Sequence, residues 1–264
     1  MSRRFLMCPP THFDVAYAIN PWMDPDRPVD RHRAVAQWEA LKRTYELLGH
    51  KVDVVEPVPG LPDMVFTANA GTAIGGTFLP SRFRFEERRG EEAPYTAWFE
   101  DHGWSVVEGE VPVNEGEGDL LKVGDLLLSG TGFRTTTEAH SLAQEVFGLA
   151  SVELRLVDPR YYHLDTALAV LDERTIAYLP EAFTPGSRRV LERLFPSAVL
   201  ASADDAAALG LNIVSDGVNV VLPDGAPRLA AEIEARGYVV HPVDMSELVK
   251  AGGAVKCCTL ELRD

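Results

Sequence analysis

Cysteine is scarce in this chain: there are three in 264 residues, an odd number without the spacing of a disulfide framework. That excludes a disulfide-stapled scaffold and fits a reducing, cytoplasmic setting. Basic residues are also in short supply, 25 against 40 acidic ones for a formal net charge of -15, so a nucleic-acid partner, which needs a basic face, is not expected. Such an excess of one sign favours a soluble, monodisperse protein. No apolar run nears the roughly 20 residues of a membrane span, so no membrane partner is expected. After Met1-Ser2-Arg3-Arg4 the apolar stretch 5–8 stops at Pro9-Pro10, too short for a signal-peptide core. Cysteine and histidine spacing suited to structural zinc is missing. A glycine-rich phosphate loop ahead of a helix is missing too, because Gly71-Thr72-Ala73-Ile74-Gly75-Gly76 runs into extended residues. No metal and no cofactor are therefore expected.

With 46% hydrophobic and 25% charged residues, the chain can bury one sizeable core. A single domain over 1–264 is the expectation, although length alone leans toward two. Hydrophobic periodicity gives a unit that recurs: two short strands, a helix, then a strand. The first unit reads as strands at 64–67 and 71–79, a helix at 95–102 and a strand at 104–107. The second has strands at 120–123 and 126–129, a helix at 136–147 and a strand at 152–157. The third has strands at 167–171 and 175–179, a helix at 187–194 and a strand at 198–200. The fourth has strands at 212–214 and 218–222, a helix at 227–236 and a strand at 238–241. A fifth is split across the termini, with strands at 255–262, 5–8 and 52–56 and a helix at 29–48 that ends before Gly49. Five ββαβ units closing in a ring make an α/β fold with pseudo-fivefold symmetry and a central cleft where strand ends converge. The charged loop at 82–92 reads either as a solvated charge run or as a flap beside the site.

Against that scarcity of cysteine, Gly252-Gly253-Ala254-Val255-Lys256-Cys257-Cys258-Thr259-Leu260 sets two thiols side by side at the end of an apolar run, next to a lysine. A cation nearby lowers a thiol pKa and makes a nucleophile; a free cysteine is otherwise a small buried hydrophobe. A cysteine nucleophile needs a proton shuttle. The histidine candidate is His163 in Tyr162-His163-Leu164-Asp165-Thr166. On a strand, His163 and Asp165 face the same side; the bland alternative is a hydrogen-bonded structural histidine. The carboxylates are in Asn114-Glu115-Gly116-Glu117-Gly118-Asp119, where glycines let backbone come close to a ligand; an ordinary polar loop would read similarly. Pro62-Asp63-Met64-Val65-Phe66-Thr67-Ala68-Asn69-Ala70-Gly71 adds an aromatic, an acid and an amide. Each stretch sits at the equivalent point of a different unit, so a ring brings them together. An acid-lined pocket with a thiol suits a planar cationic carbon, such as a guanidinium.

These motifs resemble the guanidine-modifying, or pentein, superfamily over nearly the whole chain. The carrying residues are Pro62-Asp63-Met64-Val65-Phe66-Thr67, Glu115-Gly116-Glu117-Gly118-Asp119, His163-Leu164-Asp165 and Gly252-Gly253 with Cys257. The tail Pro242-Val243-Asp244-Met245-Ser246-Glu247-Leu248 leading to Cys257-Cys258 is similar to dimethylarginine dimethylaminohydrolases. The opening Phe13-Asp14-Val15-Ala16-Tyr17-Ala18-Ile19-Asn20-Pro21-Trp22-Met23, with Asn69, is similar to the arginine dihydrolase branch. The resemblance implies a pentein α/β-propeller and a Cys257 thiolate, helped by Lys256 and the cationic substrate, that attacks the guanidino carbon. It implies His163 as proton carrier, Glu115 and Asp165 as guanidinium acceptors, and Arg88 and Arg134 as a fork for the substrate carboxylate. Phe66, Asn20 and Asn69 complete the implied substrate contacts. A neutral amide at Asn20 or Asn69 both donates and accepts, which suits a neutral ureido group and favours arginine dihydrolysis to ornithine, carbon dioxide and ammonia. Hydrolysis of dimethylarginine to citrulline and dimethylamine is the alternative, followed by amidino transfer and by binding without catalysis. The partner expected is a small molecule, arginine or a methylarginine, with homo-oligomer formation left open.

Overall fold

The computed structural model describes residues 2–263; Met1, where the leader reading begins, and Asp264, the end of the expected domain, lie outside the described residues. The chain forms an α/β structure of mixed sheets in which one pairing pattern recurs. Gly71–Ile74 pairs antiparallel with Thr77–Pro80, which pairs parallel with Ser105–Val106. Leu120–Val123, Leu126–Thr131 and Ala150–Arg155 repeat the scheme. So do Leu168–Val170, Ile176–Tyr178 and Val199–Leu200, and Val214–Ser215, Asn219–Pro223 and Val239–Val243. The set split across the termini is Leu260–Arg263, Arg4–Met7 and Lys51–Val54. Leu260–Arg263 also pairs with Gly71–Ile74, so two sets fuse into one six-stranded sheet.

Local chemistry accounts for the pattern. Gly75 and Gly76, both at positive φ (59° and 73°), form the two-residue turn between the first antiparallel pair, a geometry whose twist matches the strands it joins. A parallel third strand needs a crossover, and a helix supplies it in each set. The longest is Arg31–Leu47, capped by the Asp30 carboxylate accepting from Arg33 N–H at 3.0 Å. Its Ala34, Trp38, Leu41 and Tyr45, one turn apart, form the buried stripe. Burying each large side chain there is worth about 1.5–3 kcal/mol.

The stretch read as one strand over 71–79 is two antiparallel strands turned at Gly75-Gly76, and three further local readings need correction. Residues 64–67 are not extended; they lie in tight turns, Pro62–Val65 and Thr67–Ala70, closed by Phe66 N–H to Asp63 O at 2.9 Å and Asn69 N–H to Phe66 O at 3.0 Å. The strand expected over 255–262 begins only at Leu260, because Cys258 N–H turns back to Ala254 O at 3.1 Å and Thr259 N–H to Lys256 O at 2.9 Å. His163 is extended, but Asp165 sits in the helical turn Leu164–Ala167, so the two do not share a strand face. In all three places a short apolar run is a buried turn, which periodicity does not separate from a buried strand.

Candidate active site

The turn 252–259 presents the paired thiols. Gly252 takes a positive φ of 84°, and Gly253 lies so close to Phe66 that a Cβ there would stand 2.4 Å from its ring. No side chain larger than hydrogen fits without moving that ring. Cys257 is 2% exposed. Its Sγ receives the Asn212 Nδ2 hydrogen at 3.1 Å and lies 3.4 Å from Asp165 Oδ2. Burial, followed by the Asp165 charge, pushes the Cys257 thiol well above its ordinary range. Burial pushes the neighbouring Asp165 carboxyl up to about 7, against the Lys256 charge. Two acids in contact thus each favour the neutral form, and a cation brought between them would relieve both.

Lys256 does not stand by the sulfur. Its Nζ donates to Glu117 Oε2 at 2.7 Å and to Thr259 O at 3.0 Å, and Arg263 closes on the other Glu117 oxygen. The expected thiolate helper is instead half of a buried ion pair, because Glu117 would otherwise be an uncompensated buried charge.

Glu115 organises the second half of the site. Oε2 accepts from Arg134 Nη1 and bonds His163 Nε2, both at 2.7 Å. Burial pushes this carboxyl up, but the Arg134 charge and the His163 contact outweigh it and hold Glu115 below the ordinary carboxylate range. Among the described residues His163 Nδ1 has no hydrogen-bond partner. The Arg134 guanidinium lies between the Phe85 and Tyr162 rings, 4.6 Å from each centroid, and donates through Nη2 to Ile19 O. Gly116 has a φ of 55°, and a Cβ there would meet Gly71 backbone at 2.5 Å, so the expected close approach is to the protein's own backbone.

Asn69 links the two arginine clusters. Its Oδ1 accepts from Arg88 Nη1 at 2.8 Å, and Nδ2 donates to Glu115 O at 3.3 Å. Arg88 comes from the short helix Glu86–Arg89 inside the charged stretch 82–92. That stretch is a charge run only in part: Arg88 is buried and forks onto both oxygens of Glu91 at 2.9 and 2.8 Å. Asn20 braces the cysteine turn, with Nδ2 donating to Ala251 O at 3.0 Å. Phe66 packs edge-on against Phe13 beneath Gly253.

All nine residues singled out as site candidates are therefore gathered around two centres, Cys257 with Asp165 and Glu115 with His163. Sequence reasoning missed Asn212, which bonds the sulfur, and Tyr17, whose hydroxyl donates to Asp63 Oδ2 at 2.9 Å. The signal for Asn212 was its place at the head of the fourth unit, equivalent to the stretches that were singled out. A cavity of about 840 Å³ on the side of Ser2, Lys51 and Gly124 touches the nine candidates only at Asp165, with Lys256 and Thr259 of the cysteine turn beside it. Volume alone would point away from the chemistry, and the convergent polar groups decide the assignment. Among the described residues no cluster of three or more histidine, cysteine or carboxylate side chains is arranged to hold a metal, and no helix is long and apolar enough to cross a membrane.

No family model matches the chain. The N(G),N(G)-dimethylarginine dimethylaminohydrolase of Mycobacterium tuberculosis is 54% identical to it, over 99% of this chain and 86% of that protein. The bifunctional arginine dihydrolase/ornithine cyclodeaminase ArgZ of Synechocystis sp. is 39% identical over 99% of this chain, which spans 38% of that protein's length. The solved N-terminal domain of ArgZ, an arginine dihydrolase bound to product, superposes with a TM-score of 0.95 at 38% identity, covering 100% of this chain and 98% of that one.

Proposed function

Because the chain belongs to the guanidine-modifying superfamily, with dimethylarginine dimethylaminohydrolases and arginine dihydrolases as relatives, we propose that it hydrolyses the guanidino carbon of arginine through a covalent Cys257 intermediate. The reaction favoured is arginine dihydrolysis. The observation that carries this reading is the neutral Asn69 amide, buried between Arg88 and Glu115. A carboxylate there would bind only the cationic substrate, whereas an amide also suits the neutral ureido group formed by the first hydrolysis. The ArgZ likeness over the whole chain supports the same choice.

The proposed sequence starts from a neutral thiol. A guanidinium entering beside Asp165 and Glu115 supplies the positive charge that the buried pair lacks, and Cys257 gives its proton to His163. The sulfur attacks the guanidino carbon, and His163, oriented by Glu115, gives a proton to the departing ammonia. The thiouronium then accepts water, whose proton His163 takes, and collapse returns the thiolate and citrulline. A second attack and hydrolysis at the ureido carbon releases the second ammonia, and the carbamate left on the amine breaks down to ornithine and carbon dioxide. Two waters are consumed in all. Arg88 and Arg134 are the pair for the substrate carboxylate, Arg88 with one Nη1 N–H beyond its bonds to Glu91, Asn69 and Asp63 O and Arg134 with N–H groups beyond its bonds to Glu115 and Ile19 O. Phe66 and Asn20 hold the turn that carries the sulfur.

One catalytic domain over 1–264, its five strand sets closed in a pseudo-fivefold ring, is part of this proposal; the pairing repeated in five sets supports it. A cytoplasmic location accords with three unpaired cysteines. Dimethylarginine hydrolysis is the second reading, favoured by the 54% identity to the mycobacterial protein. Incubation with arginine and, separately, asymmetric dimethylarginine decides between them. Ornithine with about two ammonia per arginine supports dihydrolysis; dimethylamine release without ornithine replaces it with the second reading.

A further inference from the structure

Four hydrogen bonds converge on one side chain for which the proposed mechanism has no role. Asn212 stands just before Val214–Ser215, is completely buried, and lies 45 residues from Cys257 in sequence. Its Oδ1 accepts from the backbone N–H of Ala254 at 3.1 Å and of Cys257 at 3.0 Å. Its Nδ2 donates to the main-chain oxygen of Asp165 at 3.1 Å and to Cys257 Sγ at 3.1 Å. Both amide protons are placed and the acceptor is filled, so the orientation of the group is determined by its surroundings.

We propose that Asn212 is a catalytic residue of this site, its Nδ2–H holding the Cys257 sulfur as a thiolate while its Oδ1 fixes the turn that carries it. The sulfur needs such a donor. Its neighbour on the other side is the Asp165 carboxylate, which disfavours a second negative charge, and the adjacent lysine is bound to Glu117. A hydrogen bond to an ionised acceptor is about twice as strong as one to a neutral acceptor. The amide therefore favours the thiolate over the thiol without introducing a charge that would compete with a guanidinium. The Oδ1 bonds explain the turn alone; the bond to sulfur is the part that acts on reactivity. The inference rests on Cys257 being the nucleophile.

The test is the pH dependence of iodoacetamide alkylation at Cys257, followed by peptide mass spectrometry in a Cys258→Ala background. Asn212→Asp removes the amide donor and keeps the acceptor, and Asn212→Ala removes both. Each should move the midpoint upward by about one unit or more, slowing alkylation near neutral pH about 10-fold, and should lower kcat more than it raises KM. A folded variant with an unmoved profile overturns the proposal. Should neither variant fold, the wild-type protein answers. The side-chain amide resonances of Asn212 should shift as Cys257 ionises, and resonances that stay constant overturn the proposal. Wild-type protein labelled at Cys258 in place of Cys257 overturns the nucleophile assignment and this inference together, an outcome distinct from an unmoved Cys257 profile.

Discussion

Asp165 Oδ2 lies 3.4 Å from Cys257 Sγ, while Oδ1 of the same carboxyl has no hydrogen-bond partner among the described residues. A buried acid is thus left half satisfied beside the proposed nucleophile, an arrangement that costs stability and suits a cationic ligand. Burial raises the Asp165 carboxyl to about 7 from 3.8. Because the folded-state value is the higher one, this group's stabilising contribution is complete below pH 3.8 and is lost as pH rises through about 7. Asp165→Asn should therefore raise Tm more at about pH 8 than at about pH 5, with a difference at the alkaline end on the order of 1–4 kcal/mol. The same variant should bind arginine poorly. A Tm gain that does not depend on pH would count against the assignment.

Cys257 and Cys258 are separated by the turn, with the first sulfur on Asn212 and Asp165 and the second pushed up by burial, then by Cys8. Cys257→Ser should abolish turnover with the fold intact. Cys258→Ala should keep most of the activity. Equal loss in both, measured as ornithine and ammonia release, would remove the distinction.

Asn69→Asp replaces the amide that receives Arg88 at 2.8 Å with a second carboxylate close to Glu115. The variant should still accept cationic arginine but hold the ureido product poorly, a loss of about 1–3 kcal/mol. The citrulline-to-ornithine ratio should rise; chromatographic separation of the amino acids reads it directly.

His163→Ala removes the group that Glu115 orients at 2.7 Å. A general acid or base contributes about 100- to 10,000-fold, so steady-state turnover should fall by that range while a slow covalent adduct on Cys257 still forms. Near-normal rates at neutral pH would exclude His163 from proton transfer.

Gly253→Ala forces a Cβ to within 2.4 Å of the Phe66 ring and 3.0 Å of the Cys257 Cβ. Phe66 is itself packed on Phe13, so the strain must move the turn that carries the sulfur. Overpacking of this kind costs about 1–3 kcal/mol. Both Tm and kcat should drop; an unchanged kcat would show that the turn does not set the position of the sulfur.

Much of this was legible in the chain. The helix that stops before Gly49 and the strands of the second unit were read from local pattern, since each depends on immediate neighbours, whereas the hairpin turn at Gly75-Gly76 was passed over as part of one strand. The pairing of thiols at Cys257-Cys258 and the acids at 115–119 stood out by composition. The turns at 62–70 and 254–259 did not, because their backbone bonds depend on what lies beside them. Ala68 N–H, for example, reaches Cys257 O at 3.0 Å from the other end of the chain.

The amino-acid sequence by itself determined the recurring strand and helix units, the acidic balance and the set of side chains able to attack a guanidinium, since these follow from contacts within a few residues. Tertiary structure alone decided which partner each of those side chains found. Lys256 reaches Glu117 across 139 residues, His163 reaches Glu115 across 48, and Asn212 reaches the Cys257 sulfur across 45. The physical reason is that a buried charge or polar group must be satisfied by whatever the packed units bring within about 3 Å, and local pattern carries no record of which distant residue that is.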